Sequence, residues 1–282
     1  MTRVSIQGEA GAFSHTAAQQ LLGPDIELHP CRTFDEAFES VLSHDVDRAV
    51  IPVENALAGP VVESLDLLWS TGLRVVAETR VRIRLCLSAP PGVHLEDVRS
   101  VASHPVALEQ CRGLFKANPL MESVVVYDTA GSIRDLMLGN ADYDAAIGSP
   151  LAAELYGAEV LNGGVEDDHR NYTRFFELTV PAAEALRSGD SAAFAVVVRN
   201  EPGGLHEVLG VFAGHDVDMT QIVARPIRGA PWQYRFYMEV RADRPEDLTE
   251  CLRVLEGTAE ETRVFGIYSR FEEVFAEHGP LP

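Results

Sequence analysis

The chain has 282 residues, and its 23 Lys and Arg against 43 Asp and Glu leave a formal net charge of −20 at pH 7. That excess repels polyphosphate and excludes a nucleic-acid binder, whereas a small anionic substrate requires only a locally positive site. With 46% hydrophobic and 23% charged residues the chain can build ordinary cores, which excludes disordered, collagen-like and coiled-coil classes. At about 100–200 residues per domain, the length points to two domains.

Cys31, Cys86, Cys111 and Cys251 lie far apart, with no paired spacing and no histidine at metal-ligand distance, so they read as reduced, mostly buried thiols. No metal and no cofactor are expected. The N-terminal residues show no basic segment followed by an apolar run. The longest apolar run, near Ala192–Val198, is far short of the ~20 residues a spanning helix needs. A cytoplasmic protein without membrane or nucleic-acid partners is the expectation.

In chain order, Val4–Gln7 reads as a strand, Ser14–Leu22 as a helix capped by Ser14, and Ile26–His29 as a strand. Thr33–His44 reads as a helix with Thr33 and Glu36 at capping-box spacing. Arg48–Val53 is an apolar strand, Val61–Ser70 a helix closed by Gly72, and Leu73–Leu87 a long β-rich stretch. After Pro90-Pro91-Gly92 come strand Ser100–Ser103, helix Val106–Ala117 and strand Ser123–Tyr127. Helix Gly131–Leu138, strand Ala145–Ile147, helix Leu151–Tyr156 and strand Thr173–Val180 follow. This alternation implies parallel sheets with helices on both faces. Irregular passages near 73–87 and 161–171 divide it into one lobe of about 1–80 plus 165–180 and a second of about 81–164, with a cleft between them.

Residues 181–190 read as a linker. Beyond them, Ser191–Tyr268 shows strand, helix, two strands, helix and strand, a ferredoxin-like βαββαβ unit spanning 191–270, with 271–282 as a tail.

Four passages and one crossing carry chemistry. Gly8-Glu9-Ala10-Gly11-Ala12-Phe13-Ser14-His15 joins a strand to a helix; it is either a tight turn or a cradle in which glycines and a helix N-terminus meet an anion. It lacks the GxGxxG spacing of a dinucleotide site. Glu54 and Asn55 stand at a strand exit, where they either cap the following loop or orient a hydroxyl. Ser103-His104-Pro105, with Gln110 beyond, follows another strand; Ser103 suits a helix cap, and His104 is either structural or functional. Tyr127-Asp128-Thr129-Ala130-Gly131-Ser132 is a third strand-to-helix turn. At the return crossing, Asn171-Tyr172-Thr173-Arg174-Phe175 offers Arg174 as a carboxylate clamp, or else as a surface arginine beside Glu177. Together they describe a cleft for a small polyanion.

These segments, GEAGAFSH, IPVENALAG, SHPVALEQC, YDTAGS and NYTRF in that order, resemble the prephenate dehydratase family over essentially the whole chain. EPGGL and the ARP and GAPWQYRFY stretches after them resemble an ACT-type regulatory domain. The resemblance implies a bilobal α/β catalytic domain of periplasmic-binding-protein type (type II) followed by a ferredoxin-like ACT domain. It implies conversion of prephenate to phenylpyruvate, carbon dioxide and water. Carried over, it makes Thr173 the residue essential for dehydration and Arg174 a carboxylate ligand, with Glu54, Asn55, Ser103 and Gln110 alongside. Gly11, Ala12, Phe13, Ser14, His104, Thr129, Ala130, Asn171 and Phe175 would line the substrate. Arogenate dehydration and a non-catalytic small-molecule sensor remain alternatives.

The resemblance also implies a homodimer or homotetramer and a phenylalanine effector held by Gly203, Gly204 and Leu205, with Arg225 nearby. Here the sequence departs from the family pattern, with Val223-Ala224 standing before Arg225-Pro226 where the family carries Glu-Ser. Loss of that carboxylate removes a partner for an α-ammonium group, so a weakened phenylalanine response is expected.

Overall fold

The computed structural model describes residues 1–181 and 189–271. Most of the predicted linker 181–190, and all of the predicted tail after residue 271, lie outside the described residues. The chain divides into two compact units, residues 1–73 with 79–180, and 74–78 with 181–282.

In the first unit, β1 (Thr2–Gln7), α1 (Phe13–Leu22), β2 (Ile26–Cys31), α2 (Phe34–Leu42), β3 (Arg48–Asn55), β4 (Gly59–Pro60) and α3 (Val62–Thr71) lead off, followed by β5 (Arg74–Arg82), of which residues 79–82 belong to this unit. Then come β6 (Cys86–Ala89), β7 (Ser100–Ser103), α4 (Pro105–Glu109), α5 (Arg112–Ala117), β8 (Glu122–Val125), α6 (Thr129–Met137), β9 (Ala145–Gly148), α7 (Pro150–Tyr156) and β10 (Glu159–Gly163). β11 (Tyr172–Thr179) returns to the first sheet. Two sheets result, ordered β2-β1-β3-β11-β5 with β4 on β3, and β10-β6-β9-β7-β8.

Neither sheet is wholly parallel, contrary to the alternation rule. β1 pairs in parallel with β2 and β3, but β11 runs antiparallel to β3 because it re-enters from the other lobe. β6 is likewise antiparallel to β9 and β10. The β-rich stretch predicted over 73–87 is two strands, one in each sheet. The crossing segments hold one another, with Ile83 N–H donating to Asn171 C=O at 2.8 Å. Leu85 N–H donates to the buried Glu166 carboxylate at 2.9 Å.

Local chemistry sets the helix starts. Thr33 and Glu36 form the reciprocal capping box read from the sequence. Ser14 caps nothing: α1 starts one residue earlier, its N-cap is Ala12, and no side chain satisfies its first N–H groups. His104, not Ser103, caps α4, its Nδ1 accepting from Val106 N–H at 3.3 Å. α6 begins at Thr129, two residues before the predicted start, because Asp128 accepts from Gly131 N–H at 2.6 Å. The single helix predicted over 106–117 is broken at Gln110-Cys111. There Asp167 N–H takes the Gln110 carbonyl at 2.7 Å, and the Asp167 carboxylate accepts from Gly113 N–H at 2.8 Å. The helical ladder yields to these bonds from the crossing segment.

The lobes share a core. Val4, Ile6, Ala17 and Val50 from the first lobe and Ile133, Ala146 and Ala152 from the second belong to one buried cluster. Gly11 permits this approach: its φ is +89°, and an added Cβ would lie 2.6 Å from the Ala152 Cα. Gly11→Ala is therefore expected to destabilise the protein by roughly 2–5 kcal/mol, combining left-handed strain with overpacking, as read by urea denaturation.

The second unit contains β12 (Ser191–Val197), α8 (Gly204–Gly214), β13 (Asp218–Pro226), β14 (Tyr234–Arg241), α9 (Pro245–Thr258) and β15 (Glu261–Tyr268). Its sheet, β13-β14-β12-β15, is antiparallel throughout. Phe194, Val196, Val208, Phe212, Leu248 and Leu252 lie in the core between sheet and helices. This is the ferredoxin-like arrangement the sequence predicts.

Candidate active site

The site is assembled on β3 and β11. Pro52 lies inside β3 and has no N–H for the ladder, and the β3–β11 register shifts beside it, between Arg174 and Phe175. Beyond the shift Thr173 faces Asn55 and Arg174 faces Glu54. A bulge at this point re-aims the strand exit, where Thr173 and Asn55 form one side-chain pair and Arg174 and Glu54 another at the next ladder position.

Asn55 Nδ2 donates to Thr173 Oγ1 at 2.9 Å, to Asn171 Oδ1 at 2.7 Å and to the Tyr172 carbonyl at 3.2 Å. Asn55 Oδ1 accepts from Leu57 and Ala58 N–H at 3.0 and 2.9 Å. Asn55 thus closes the loop after β3, as its capping reading expects, and also binds the Thr173 hydroxyl. Asn171 Nδ2 donates to Gln110 Oε1 at 2.9 Å, which ties the chain of side chains to the second lobe. Thr173 is 8% exposed, and Asn55 is its sole side-chain hydrogen-bond partner among the described residues. Arg174 Nε donates to Glu54 Oε2 at 3.1 Å, and its guanidinium carbon stands 5.6 Å from the centre of the Phe176 ring. Glu54 is thus a carboxylate partner of Arg174, and Glu177 pairs with Arg48 at 2.9 Å.

Other expected residues are placed differently. Ser103 is fully buried, and its hydroxyl donates to the Ile147 carbonyl at 2.7 Å, inside the second sheet. It holds β7 to β9 and has no proton to offer a ligand. Phe175 and Ala130 lie in the shared core, so neither walls a cleft. Asn171 is also fully buried. Thr129 is half-buried at the first turn of α6, and Phe13 packs against both cores of the unit. Ser14, in the first turn of α1, is more than nine-tenths buried.

Sequence reasoning missed a second polar group around the β1–α1 turn. Arg134 pairs with Glu9 at 2.6 Å and donates to the Tyr127 hydroxyl at 2.8 Å. Tyr156 donates to the Ala10 carbonyl at 3.0 Å, and Ser149 donates to the Gly11 carbonyl. The Asp-Thr-Ala-Gly spacing at 128–131 could have revealed the Asp128 cap; nothing local could have revealed the Glu9–Arg134 pair. His15 accepts from Gly11 N–H at 3.1 Å, and burial lowers its pKa, so the turn is held by a neutral imidazole.

Burial is the largest influence on Asp128 and pushes its carboxyl up, with the Glu9 charge acting in the same direction and the Gly131 N–H against it. The folded protein thus holds that proton more tightly than the unfolded chain, and stability falls as pH rises from the ordinary carboxyl range through the raised value. Asp128→Asn keeps an oxygen for the cap and carries no charge. It is expected to raise the melting temperature at pH 7, with the gain vanishing below the ordinary carboxyl range, in melts followed by circular dichroism across pH.

All four cysteines are free and buried. Burial pushes the thiols of Cys31 and Cys251 up to about 11 and that of Cys111 up to about 12, so none supplies a thiolate at neutral pH. Among the described residues no cluster of His, Cys, Asp and Glu could hold a metal ion. No described helix is long and apolar enough to cross a membrane.

In the second unit, Gly203 is the left-handed N-cap of α8, Gly204 is buried and Leu205 packs on the core. Arg225 lies on β13, directly after Val223 and Ala224.

Two α/β lobes tied by a double crossing, with a chain of polar side chains on the tie, followed by a βαββαβ unit, define a bilobal enzyme with an ACT domain. The prephenate dehydratase family profile matches residues 4–183 and the ACT domain profile residues 194–257. The chain belongs to the prephenate dehydratase family, whose reaction is a lyase-type dehydration. It is 37% identical over 94% of its length, and 72% of the relative's, to arogenate dehydratase/prephenate dehydratase 2 of Arabidopsis thaliana. It is 34% identical to a Komagataeibacter europaeus protein named bifunctional N-acyl-homoserine lactone acylase/prephenate dehydratase, covering 94% and 95% of the two chains. The crystal structure of prephenate dehydratase from Arthrobacter aurescens in complex with L-Phe aligns with a TM-score of 0.86 at 31% identity, over 95% of this chain and 90% of that one.

Proposed function

We propose that this protein is a prephenate dehydratase that converts prephenate to phenylpyruvate, with catalytic lobes of about 1–80 plus 165–180 and about 81–164 and a regulatory domain of about 191–270. The observation that carries this reading is the Thr173 hydroxyl, nine-tenths buried, held by Asn55 and followed in the chain by Arg174. The chemistry asks little beyond that. The ring carboxylate leaves as carbon dioxide while its electron pair completes the aromatic ring and the ring hydroxyl departs. A dianion thus gives a monoanion, carbon dioxide and hydroxide, and hydroxide takes up one proton to become water. Aromatisation supplies the driving force, so the protein orients the substrate and stabilises charge on the departing oxygen.

Arg174 holds a substrate carboxylate, which competes with Glu54 for the guanidinium. The uncapped N-terminus of α1, with no acidic residue in its first turn, receives the other. These local positive ends offset a chain of net charge −20. Thr173 donates a hydrogen bond to the departing hydroxyl.

Arogenate differs from prephenate by an amino group in place of the keto oxygen, and the Arabidopsis relative is named for both substrates. The test is turnover of the two in parallel, with phenylpyruvate read by its ultraviolet absorbance in alkali and phenylalanine by chromatography. A kcat/KM at least tenfold higher for prephenate is expected. Turnover of arogenate alone would reverse the assignment, and turnover of neither would support a sensor.

The protein acts as a homodimer or homotetramer, and phenylalanine binds at the α8 N-terminus. Val223 and Ala224 offer an ammonium group no carboxylate. Loss of one charge-assisted bond of about 1.5–3 kcal/mol weakens binding by roughly 10- to 100-fold. Calorimetry with L-phenylalanine should accordingly give a Kd at least tenfold above that of a relative with Glu-Ser at these positions; equal affinity contradicts the expectation.

A further inference from the structure

A carboxamide is nearly symmetric in shape, and its neighbours decide which end carries the oxygen. The neighbours of Asn55 cannot be reversed. Its Oδ1 receives two backbone N–H groups, from Leu57 and Ala58, and its Nδ2 faces the backbone carbonyl of Tyr172. Peptide nitrogens only donate and peptide oxygens only accept, so the amide of Asn55 is fixed with its NH2 toward Thr173 and Asn171. Both Thr173 Oγ1 and Asn171 Oδ1 must then accept from it. With its oxygen on Asn55, Asn171 has only its NH2 for Gln110, and Gln110 receives it on Oε1. Gln110 Nε2 is left with no protein partner among the described residues, on a half-buried side chain. The Thr173 hydroxyl, having accepted, keeps its proton for something outside the chain.

We infer that Asn171 is a positioning residue that relays a hydrogen-bond polarity, set by the Leu57 and Ala58 backbone in one lobe, to Gln110 in the other, so that Thr173 and Gln110 both meet the substrate as donors. This revises the expectation that Asn171 touches substrate, because its side chain is enclosed between the two amides. Its backbone carbonyl, which receives Ile83 N–H, also fastens it to the paired crossing. The inference rests on the proposed dehydratase reading only for what the donors meet. A departing hydroxyl and carboxylates are acceptors, and a chain of reversed polarity would aim lone pairs at them.

The polarity can be read without turnover. The full-length protein is labelled with 15N in its carboxamides, the Asn55, Asn171 and Gln110 signals are assigned by substitution, and exchange of the NH2 protons with water is measured. In the native protein the Asn55 and Asn171 protons are expected to exchange at least about tenfold more slowly than those of Gln110. In Asn171→Asp the acceptor-only carboxylate still receives Asn55 but forces Gln110 to turn its NH2 inward. The Gln110 protons then become protected, and KM for prephenate rises about tenfold while kcat changes less than about threefold. Equal protection of Gln110 and Asn171 in the native protein, or unchanged Gln110 exchange in Asn171→Asp, overturns the relay. Should that variant fail to fold, Gln110→Glu keeps an oxygen for Asn171 and must leave the protection of Asn55 and Asn171 as in the native protein; its loss overturns the relay equally. Failure of the native protein to convert prephenate would strike the dehydratase reading and leave the exchange pattern to decide the relay.

Discussion

Thr173→Ala is expected to lower kcat for prephenate by about 10²–10⁴-fold while KM stays within a few-fold of native, because a positioned proton donor contributes that much and acts only on the departing oxygen. The substitution removes little else. Asn55 Nδ2 retains Asn171 and the Tyr172 carbonyl as acceptors, and the β3–β11 pairing runs through the backbone. Thr173→Ser keeps the hydroxyl in the same register and is expected to retain activity within about tenfold. Rapid-quench or steady-state assays of the two variants separate a lost donor from a damaged strand. Equal loss in both would show that the methyl group and its packing matter, not the proton.

Arg174→Gln is the second large effect, and it has the opposite signature. A charge-assisted bond to a carboxylate contributes about 1.5–3 kcal/mol, so KM should rise by roughly 10- to 100-fold while kcat falls little. The guanidinium is held in place: its side chain is 13% exposed, paired with Glu54 and placed near the Phe176 ring. Glu54→Gln removes the competing carboxylate and should lower KM, or at least not raise it. The double variant, Arg174→Gln with Glu54→Gln, tests whether the two act as a pair, since contacting residues give non-additive changes. A kcat effect without a KM effect in Arg174→Gln would move Arg174 from binding to chemistry.

Much of the local structure was legible because it depends on short spacings. The capping box of α2 needs only Thr33 and Glu36, and the βαββαβ rhythm of the second unit needs only periodicity. The candidate site was legible as a set of strand exits, yet its wiring was not. The contacts from Asn55 to Asn171 and from Asn171 to Gln110 join residues 116 and 61 positions apart. Their meeting depends on a register shift beside Pro52 that no single segment announces. Ser103 shows the converse error: a hydroxyl at a strand exit suggested a cap or a ligand, but its neighbour His104 took the cap and the Ile147 carbonyl took its proton. Phe175 belongs to a motif read as a unit, while strand alternation sends it into the core as Arg174 turns to Glu54. The parallel sheets expected from alternating elements became mixed because β11 comes home from the other lobe, a property of the whole path of the chain.

Product stoichiometry decides whether the two-lobed unit carries out a decarboxylating aromatisation. Incubated with prephenate, the native protein should release phenylpyruvate and carbon dioxide in equal amounts, together and at an enzyme-dependent rate far above the solution background. Carbon dioxide without a matching aromatic keto acid, or no release of either above background, would contradict it.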